Sequence, residues 1–469
     1  MGESRGDPAR DEAGPEDAPD PPGGRLGLPA ATALVAGNIV GTGIFLLPAA
    51  LAEFGIVGIV AFGLVTIGAL TLALVFGTLG RRIPRAGGPY VYAREAFGEF
   101  PGFLTAWSFW ITSWAGNAGI AYAWTGYVVY FLEGRSLFGL SWTGTTGQIV
   151  IGLIGIWLVA LINLTGVKNM GRFQVVTVVL KFAPLLFVTV VGLFSIRMGN
   201  FGPFNATGQS VLVAVSAAAA LVLFAYSGLE SATVAAEKVA DPRRDIGRAG
   251  FYGCLACAVL YLLSTIAIFG TVPHEELINS KTPFTDAVEN MFGVGIWGGV
   301  IAACAVVSGI GALNGWTMLV AEMPMAAARD GLFPRVFTRM NPRNVPYVGV
   351  IVASVLTSLT LVLAYGATNA FDTILLLATF TTVIPYLFST GARIFWLATG
   401  RREIALRGFA WEMTIAAVAM VFSYWMVVGA GGDAVFRGTL MLLLGIPVYV
   451  WIKVARGGYG APATNRDPS

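Results

Sequence analysis

Two ionisable side chains lie inside long apolar stretches, where a charge is costly. Glu230 is near the middle of one apolar block and Lys181 lies well inside another. A central carboxylate costs on the order of 2.5–3.5 kcal/mol even on insertion scales, so it needs a compensating role. The leading hypothesis for Glu230 is proton carriage, because a desolvated carboxylate can gain and lose a proton near neutral pH. The alternative is a neutral glutamic acid that is hydrogen-bonded for structure.

Lys181 poses the same problem with the opposite charge. Its ammonium group can pair with Glu230, donate to the carbonyl groups of a broken helix, or lose its proton on burial. Extension of the side chain to a membrane interface is the alternative, although the residue is far from both ends of its block. We therefore expect Lys181 and Glu230 together to set the proton dependence of the protein.

Glycine and polar residues interrupt two apolar blocks. One holds Gly37-Asn38-Ile39-Val40-Gly41-Thr42-Gly43 and the other holds Ala225-Tyr226-Ser227-Gly228-Leu229-Glu230-Ser231. These runs predict broken helices, five spans apart, which is typical of an inverted repeat with its binding site at the breaks. Free N–H groups at a break hold a carboxylate and free carbonyl groups accept from an ammonium group, so an α-amino acid suits both. The alternative is close helix packing at small residues.

A third block presents a polar face at helical spacing, formed by Phe109, Thr112, Ser113, Gly116, Asn117 and Ile120. Buried amides and hydroxyls in membrane helices need partners, so this face serves either interhelical hydrogen bonds or ligand contact. Spacing alone does not separate the two. Trp316 follows a small-residue surface in a later block, where it is either a core residue or a platform for a ligand.

The elements that must position these residues are membrane helices. The chain has 469 residues, 56% hydrophobic and only 12% charged, against roughly 25% charged in a soluble domain. We predict an all-α polytopic membrane protein, a five-plus-five inverted repeat with broken helices 1 and 6. Twelve blocks leave no room for a soluble catalytic domain, so we do not expect an enzyme. The predicted spans are 28–52, 56–80, 102–132, 147–166, 173–196, 209–237, 250–272, 295–328, 347–365, 371–397, 408–430 and 434–454.

The distribution of basic residues predicts the orientation. With a cytoplasmic N-terminus, the inner segments hold 24 of the 29 Lys and Arg residues, so both termini are expected in the cytoplasm and the chain in the cell membrane. The expected units are a disordered acidic tail (1–27) and a transporter domain (28–454), followed by a cytoplasmic tail (455–469). Within the domain, the repeats cover 28–196 and 209–397, and 408–454 adds two helices. The sequence leaves open whether the chain forms a homodimer.

Few residues suggest other chemistry. Cys254 and Cys257 lie in an apolar block, so this C-x-x-C pair is interpreted as small packing residues, as is Cys304. His274 has no second ligand or nucleophile in view, and neither a G-x-S-x-G nor a nucleotide-binding glycine loop is present. We expect no metal, no cofactor and no nucleic-acid partner. The expected partners are an amino acid or amine substrate, protons and the lipid bilayer.

Several stretches resemble the amino acid–polyamine–organocation superfamily, and within it the basic amino acid/polyamine antiporters, most closely those exchanging arginine for agmatine. The resemblance covers residues 28 to 454. It depends on GNIVGTGIF (37–45), PRAGGPYVYAREAFG (84–98), FWITSWAGN (109–117), YSGLESATVAAEKVADPRRDI (226–246), GALNGWT (311–317), ARDGLFP (328–334) and VIPYLF (383–388). It implies a secondary transporter that works by alternating access.

The resemblance also implies roles for single residues. Thr42 and Gly43 would bind the substrate carboxylate, and Trp316 would stack on a guanidinium group. Glu230 matches the proton-linked acid, Tyr386 a gate tyrosine beside it, and Lys181 the lysine of family members that need no sodium. The carbonyls of Ile39, Phe224 and Ser227 would accept from the α-ammonium group, and Thr112, Ser113 and Asn117 would line the side-chain pocket. The remaining implied substrate-site residues are Asn38, Gly41, Phe109, Gly228 and Ala378.

Some of these positions depart from the arginine-exchanger pattern. Phe224 stands in place of a tryptophan, Phe109 of a tyrosine and Ala378 of a serine, while Thr112 and Ser113 replace alanine and cysteine. Arginine specificity therefore does not follow directly. An amino acid/amine exchanger with proton linkage is the first hypothesis, and a proton-coupled neutral amino acid symporter is the second. A sensor of the same fold would bind without transport, but the tails are short for a signalling module.

Overall fold

The computed structural model describes residues 27–456, except 42, 86, 134–135, 138–139, 166–169, 235–238, 368 and 401–405. The predicted N-terminal tail, nearly all of the predicted C-terminal tail and Thr42 lie outside the described residues. Long apolar runs satisfy their backbone hydrogen bonds internally as helices, which is the arrangement that a bilayer demands.

Seventeen helices account for most of the described chain. They are α1 (Leu28–Ile39), α2 (Gly43–Ala52), α3 (Ile56–Arg82), α4 (Pro89–Phe97), α5 (Glu99–Leu132), α6 (Thr145–Leu164), α7 (Met170–Phe194), α8 (Val211–Ala225), α9 (Ser231–Val234), α10 (Pro242–Thr271), α11 (His274–Leu277), α12 (Pro283–Phe292), α13 (Ile296–Arg329), α14 (Tyr347–Ala364), α15 (Ala370–Thr399), α16 (Leu406–Leu443) and α17 (Gly445–Ala455). Two-residue strands, β1 (Ser136–Leu137) and β2 (Leu140–Ser141), pair antiparallel.

The helices are those of a multi-pass membrane protein. Seven of the described segments are long and apolar enough to cross a membrane, or eight if α1 and α2 form one bent span. Two shorter stretches are also apolar, the helix α8 (211–225) and residues 180–194 of α7. Apolar side chains more than half exposed cover the outside of the bundle, which suits contact with lipid tails rather than water. They include Ile67, Leu161, Leu363 and Val421.

Both predicted interruptions are present. The first apolar block divides where α1 ends at Ile39 and α2 begins at Gly43. The second divides between Ala225, the last residue of α8, and Ser231, the first of α9. The sequence also predicts a loop near residues 430–434, but α16 continues through this region to Leu443, with one non-helical residue at Gly431 (φ 80°, ψ 161°). The boundary between the last two predicted spans is therefore a kink, because one glycine suffices to redirect the chain.

Candidate functional site

A small cavity lies between the two breaks and is closed laterally by α5 and α13. Its volume is about 20 Å³, room for about one water molecule. It brings together seven residues that the sequence assigned to substrate binding, from four separate segments. The lining consists of Ile39, Gly41, Gly43, Ile44, Thr112, Gly116, Ile120, Phe224, Ala225, Ser227 and Trp316.

The Phe224 ring fills a slot between two glycines on different helices. A Cβ atom on Gly43 would lie 2.7 Å from Phe224 Cε1, and one on Gly116 would lie 3.2 Å from Phe224 Cε2. A side chain on Gly43 would collide with the ring and one on Gly116 would be in tight contact with it, so the two glycines make room for the ring. Because the cavity is small, a ligand as large as an amino acid requires this ring or the adjacent helices to move.

Three predicted site residues on α5 lie beside the cavity rather than on its lining. Phe109 is buried, and Ser113 Oγ donates to the Phe109 carbonyl at 2.7 Å, within the same helix. Asn117 Nδ2 donates to Thr317 Oγ1 at 3.4 Å, while Asn117 Oδ1 is buried without a hydrogen-bond partner among the described residues. Asn117 and Thr317 line a second small polar cavity with Ser354 and Thr357.

Thr112 connects the cavity to α15 through hydroxyl groups that the sequence analysis missed. Thr112 Oγ1 donates to Thr381 Oγ1 at 2.8 Å and accepts from Thr382 Oγ1 at 3.3 Å. It also lies 3.5 Å from the carbonyl oxygen of Ala378, a predicted site residue that is fully buried. The signal for this cluster was the threonine run at 379, 381 and 382, inside an otherwise apolar block.

The carbonyl groups at the end of α1 are occupied by side chains from other helices. Lys181 Nζ donates to the Gly37 carbonyl at 3.2 Å. Tyr261 Oη donates to the Ile39 carbonyl at 3.0 Å, and the same oxygen accepts from the Gly41 N–H at 2.9 Å. Tyr261 therefore takes part in the break although the sequence analysis did not single it out. The only signal was a tyrosine near the middle of an apolar block.

The predicted packing role of one cysteine fits its surroundings. Cys257 is buried in α10 and its Sγ lies 3.7 Å from the Ala36 carbonyl in α1. Cys254, one turn earlier, is also buried as a free thiol. Cys257 therefore helps to place α10 against the first broken helix.

Glu230 is 2% exposed and lies in the turn between α8 and α9. Tyr386 Oη donates to Glu230 Oε2 at 3.1 Å, and the Tyr386 ring packs edge-on against Phe76 with centroids 5.6 Å apart. Among the described residues, Lys181 and Glu230 form no ion pair, so this conformation does not contain the direct pairing that was one of the three options for Lys181. Donation to a broken-helix carbonyl, the second option for Lys181, is what the structure shows.

Comparisons with known proteins agree with this architecture. The family model described as amino acid permease matches residues 26–441. The chain is 30% identical to an arginine/ornithine antiporter of Pseudomonas aeruginosa, over 92% of this chain and 91% of that protein. It is 29% identical to a putrescine transporter of Escherichia coli, over 91% and 95% of the two chains, and 29% identical to an arginine/agmatine antiporter of Chlamydia pneumoniae, over 91% and 89%.

Proposed function

The chain belongs to the amino acid permease family, and on that premise we propose that it exchanges amino acids and their decarboxylated amines by alternating access. It is a transporter rather than an enzyme. The relatives named above carry arginine, ornithine, agmatine or putrescine in their names. A basic amino acid and its amine share a cationic side chain, so one site with an aromatic platform suits both partners of an exchange.

The observation that carries this proposal is the position of the cavity. It lies at both breaks, where backbone groups released from helical bonding can bind the two ends of an α-amino acid. Trp316 contributes part of the cavity wall, and the Phe224 ring lies between Gly43 and Gly116 at the edge of the cavity. A substrate in this cavity would contact both broken helices. Their half-helices can move relative to one another at the breaks, so these are the places where a change between inward-facing and outward-facing states is easiest.

Within this cavity each end of the substrate has a proposed partner. The N–H group of Gly43, at the start of α2, would hold the carboxylate together with Thr42, which lies outside the described residues. The carbonyl groups of Phe224 and Ser227 would accept from the α-ammonium group. The Ile39 carbonyl is a weaker candidate than the sequence suggested, because the Tyr261 hydroxyl and the Gly41 N–H both already donate to it. The side chain would then extend towards Trp316 and the hydroxyl of Thr112.

The proposed topology is twelve spans with both termini in the cytoplasm. The proposed location is the cell membrane. The two repeats would cover 28–196 and 209–397, with 408–454 outside the repeat. The support is the excess of basic residues on one set of loops and the matching positions of the two breaks.

The most detailed part of the proposal is that transport is coupled to protons. Glu230 and Tyr386 join the second break to α15, while Lys181 joins α7 to the first break. A proton that moves on or off Glu230 changes the hydrogen bond with Tyr386, and so changes the relative free energy of the inward and outward states.

A proton-coupled symporter for neutral amino acids is the second candidate. It is favoured by the cavity lining, in which the only polar side chains among the described residues are the hydroxyls of Thr112 and Ser227 and the indole of Trp316. Such a lining also suits an apolar or hydroxylated side chain.

Reconstitution in liposomes tests both candidates. Purified protein is loaded inside with one unlabelled substrate and offered a labelled panel of basic, neutral and decarboxylated compounds outside. Exchange predicts uptake of cationic compounds that depends on internal substrate. Uptake of neutral amino acids into empty liposomes, driven by an inward proton gradient, would instead establish the symporter. Binding without either flux would exclude transport.

A further inference from the structure

A third, much larger cavity lies away from the substrate site, at one end of four helices. Its volume is about 300 Å³, and it is open on one side. It is formed by the end of α3, the start of α10, the end of α15 and the start of α16. The lining consists of Leu74, Val75, Gly77, Thr78, Arg81, Arg244, Gly247, Arg248, Phe251, Tyr252, Arg393, Trp411, Glu412 and Ile415. We call it the arginine groove.

Two glycines allow the groove to form. The helices α3 and α10 cross at Gly77 and Gly247, where a Cβ atom on Gly77 would lie only 2.6 Å from Gly247 Cα. Backbone therefore meets backbone at this crossing, and the two glycines, which lack side chains, form the floor of the groove. The arginines project from the helix ends around that floor.

The charge of the groove is strongly positive. Four arginines line it against a single glutamate, and that glutamate, Glu412, is already paired with Arg393. Arg248 lies 3.8 Å from Asp245, which is on the same helix. Arg81 and Arg244 form no ion pair within the part of the chain that the structure describes. Arg81, Arg244 and Arg248 are exposed at this end of the helices, so their guanidinium groups are accessible to an anion that binds in the groove.

The rest of the lining is apolar and aromatic. Tyr252 is 48% exposed and Trp411 is 66% exposed. Both face outward from the bundle, and tryptophan and tyrosine are enriched where a membrane meets water. Leu74, Val75 and Ile415 lie farther along the helices from their charged ends. The groove thus has basic groups at the helix ends and an apolar surface next to them, farther along the helices.

We propose that the arginine groove binds the phosphate-bearing headgroup of an anionic phospholipid, with the acyl chains against Tyr252 and Trp411. Guanidinium groups bind phosphate oxygens in bidentate geometry, and basic pockets between membrane helices are suited to such headgroups. A soluble phosphate ester has the same anionic chemistry. The outward-facing aromatic residues favour the lipid, because a soluble ligand has no apolar part to place against them.

The test uses full-length protein purified and stripped of lipid. Native mass spectrometry measures how much phosphatidylglycerol stays bound, compared with phosphatidylcholine of the same acyl chains. The test variant is Arg81→Gln/Arg244→Gln, which removes the two charges of the groove that form no ion pair with the described residues. The control is Arg339→Gln/Arg343→Gln, which removes two exposed arginines from the loop after α13. We expect binding of phosphatidylglycerol to weaken about 10- to 30-fold in the test variant and to change little in the control.

Three outcomes would overturn the proposal. They are equal loss in both double variants, equal retention of the two lipids by the wild-type protein, and displacement of phosphatidylglycerol by soluble glycerol phosphate at the same concentration. The last would assign the groove to a soluble phosphate ester. Melting temperature in phosphatidylcholine checks that the variant is folded, and Arg244→Gln alone serves as a milder variant if the double one is not. The substrate site is not altered, so this test is independent of the proposed transport activity.

Discussion

Gly228 lies against the Asn38 carbonyl, so the two helix breaks touch one another. A Cβ atom on Gly228 would stand 3.0 Å from Asn38 O and 3.3 Å from Ile39 N. Gly228 also has a φ of +103°, a conformation that side chains with a Cβ rarely adopt. The contact joins the end of α1 to the turn after α8. A displacement of one break therefore also displaces the backbone of the other.

Gly228→Ala should therefore impair exchange strongly. The new methyl group meets backbone atoms of the first break and also strains its own backbone, at a cost of about 1–3 kcal/mol. We expect initial exchange rates in liposomes to fall about 10-fold or more. The matched control is Gly208→Ala, because Gly208 also has a positive φ (+69°) but has open space around its Cβ position. If both variants lose activity equally, backbone strain alone explains the loss and the contact between the breaks has no special role.

Trp316→Leu should weaken the binding of cationic substrates. A cation over an indole face gains about 1–2 kcal/mol in a desolvated site, so the dissociation constant should rise about 5- to 30-fold. Trp316→Phe keeps a ring and should lose less. Isothermal titration with arginine, agmatine and alanine measures the effect. If basic substrates bind no better than alanine and Trp316→Leu leaves all affinities unchanged, the aromatic platform is wrong and the neutral-substrate candidate gains.

The positions of the breaks were predictable from local sequence, because glycine and polar residues inside an apolar block have a cost that only a function or a tight contact explains. Glu230 was predictable for the same reason. The partner of Lys181 was not. Helical spacing gives the face on which a residue lies, but it does not give the rotation of that face relative to other helices. Lys181 thus reaches the Gly37 carbonyl in α1 rather than Glu230.

The same limit explains the residues of α5. Spacing correctly grouped Thr112, Ser113 and Asn117, all of which are buried. It could not show that only Thr112 of these three residues lines the cavity. Nor could it show that Ser113 forms its hydrogen bond within its own helix, or that Asn117 donates to Thr317. Those differences depend on where α13 and α15 cross α5. Such crossings are set by packing between residues far apart in the sequence.

Glu230→Gln should flatten the pH dependence of exchange while leaving substrate binding. The amide has nearly the same shape and its oxygen can still accept from Tyr386, but it cannot titrate. Tyr386→Phe keeps the carboxyl group and removes its hydrogen-bond donor, so the pH profile should shift rather than flatten. Exchange rates and dissociation constants are measured across about three pH units, which covers a thousandfold range of proton activity. An unchanged profile in Glu230→Gln would assign the residue a structural role.

Lys181→Met should slow exchange more than it weakens binding. Methionine matches the length and apolar stem of lysine but cannot donate to the Gly37 carbonyl at the end of α1. Lys181→Gln retains a donor without the charge and separates the two contributions. We expect a fall of about 10-fold in exchange rate, with less than about threefold change in dissociation constant, since the net worth of a hydrogen bond from a charged group is about 1.5–3 kcal/mol. Wild-type exchange rates in Lys181→Met would exclude a role in the transition.

The loop between α10 and α13 contains a partly buried acid outside the membrane helices. Asp286 lies in the short helix α12, and its carboxylate accepts hydrogen bonds from Ser280 and, at 3.0 Å, from Thr282. Burial raises the pKa of Asp286 to about 6, and repulsion from Glu276 and Glu289 adds to the effect, while the two hydroxyl groups lower it. Next to it, Phe284 packs edge-on against Phe45 of α2 with ring centroids 4.9 Å apart. The packing of α12 thus connects this acid to the second half of the first broken helix.

Asp286→Asn should remove a pH dependence of stability between about pH 4 and pH 6. In the folded protein Asp286 keeps its proton up to about pH 6, whereas an unfolded aspartic acid loses it near 3.8. The folded state binds more protons in this window, so wild-type stability should fall as the pH rises through it, by up to about 3 kcal/mol, and then level off. The asparagine variant does not ionise and should melt about as the wild type does at pH 4 but several degrees higher at pH 7.5.

The control is Glu275→Gln, which changes an exposed acid in α11 and should follow the wild-type curve. Melting temperatures measured from pH 4 to pH 7.5 decide the point, and parallel curves for wild type and Asp286→Asn would show that the charge on Asp286 does not limit the stability of the fold.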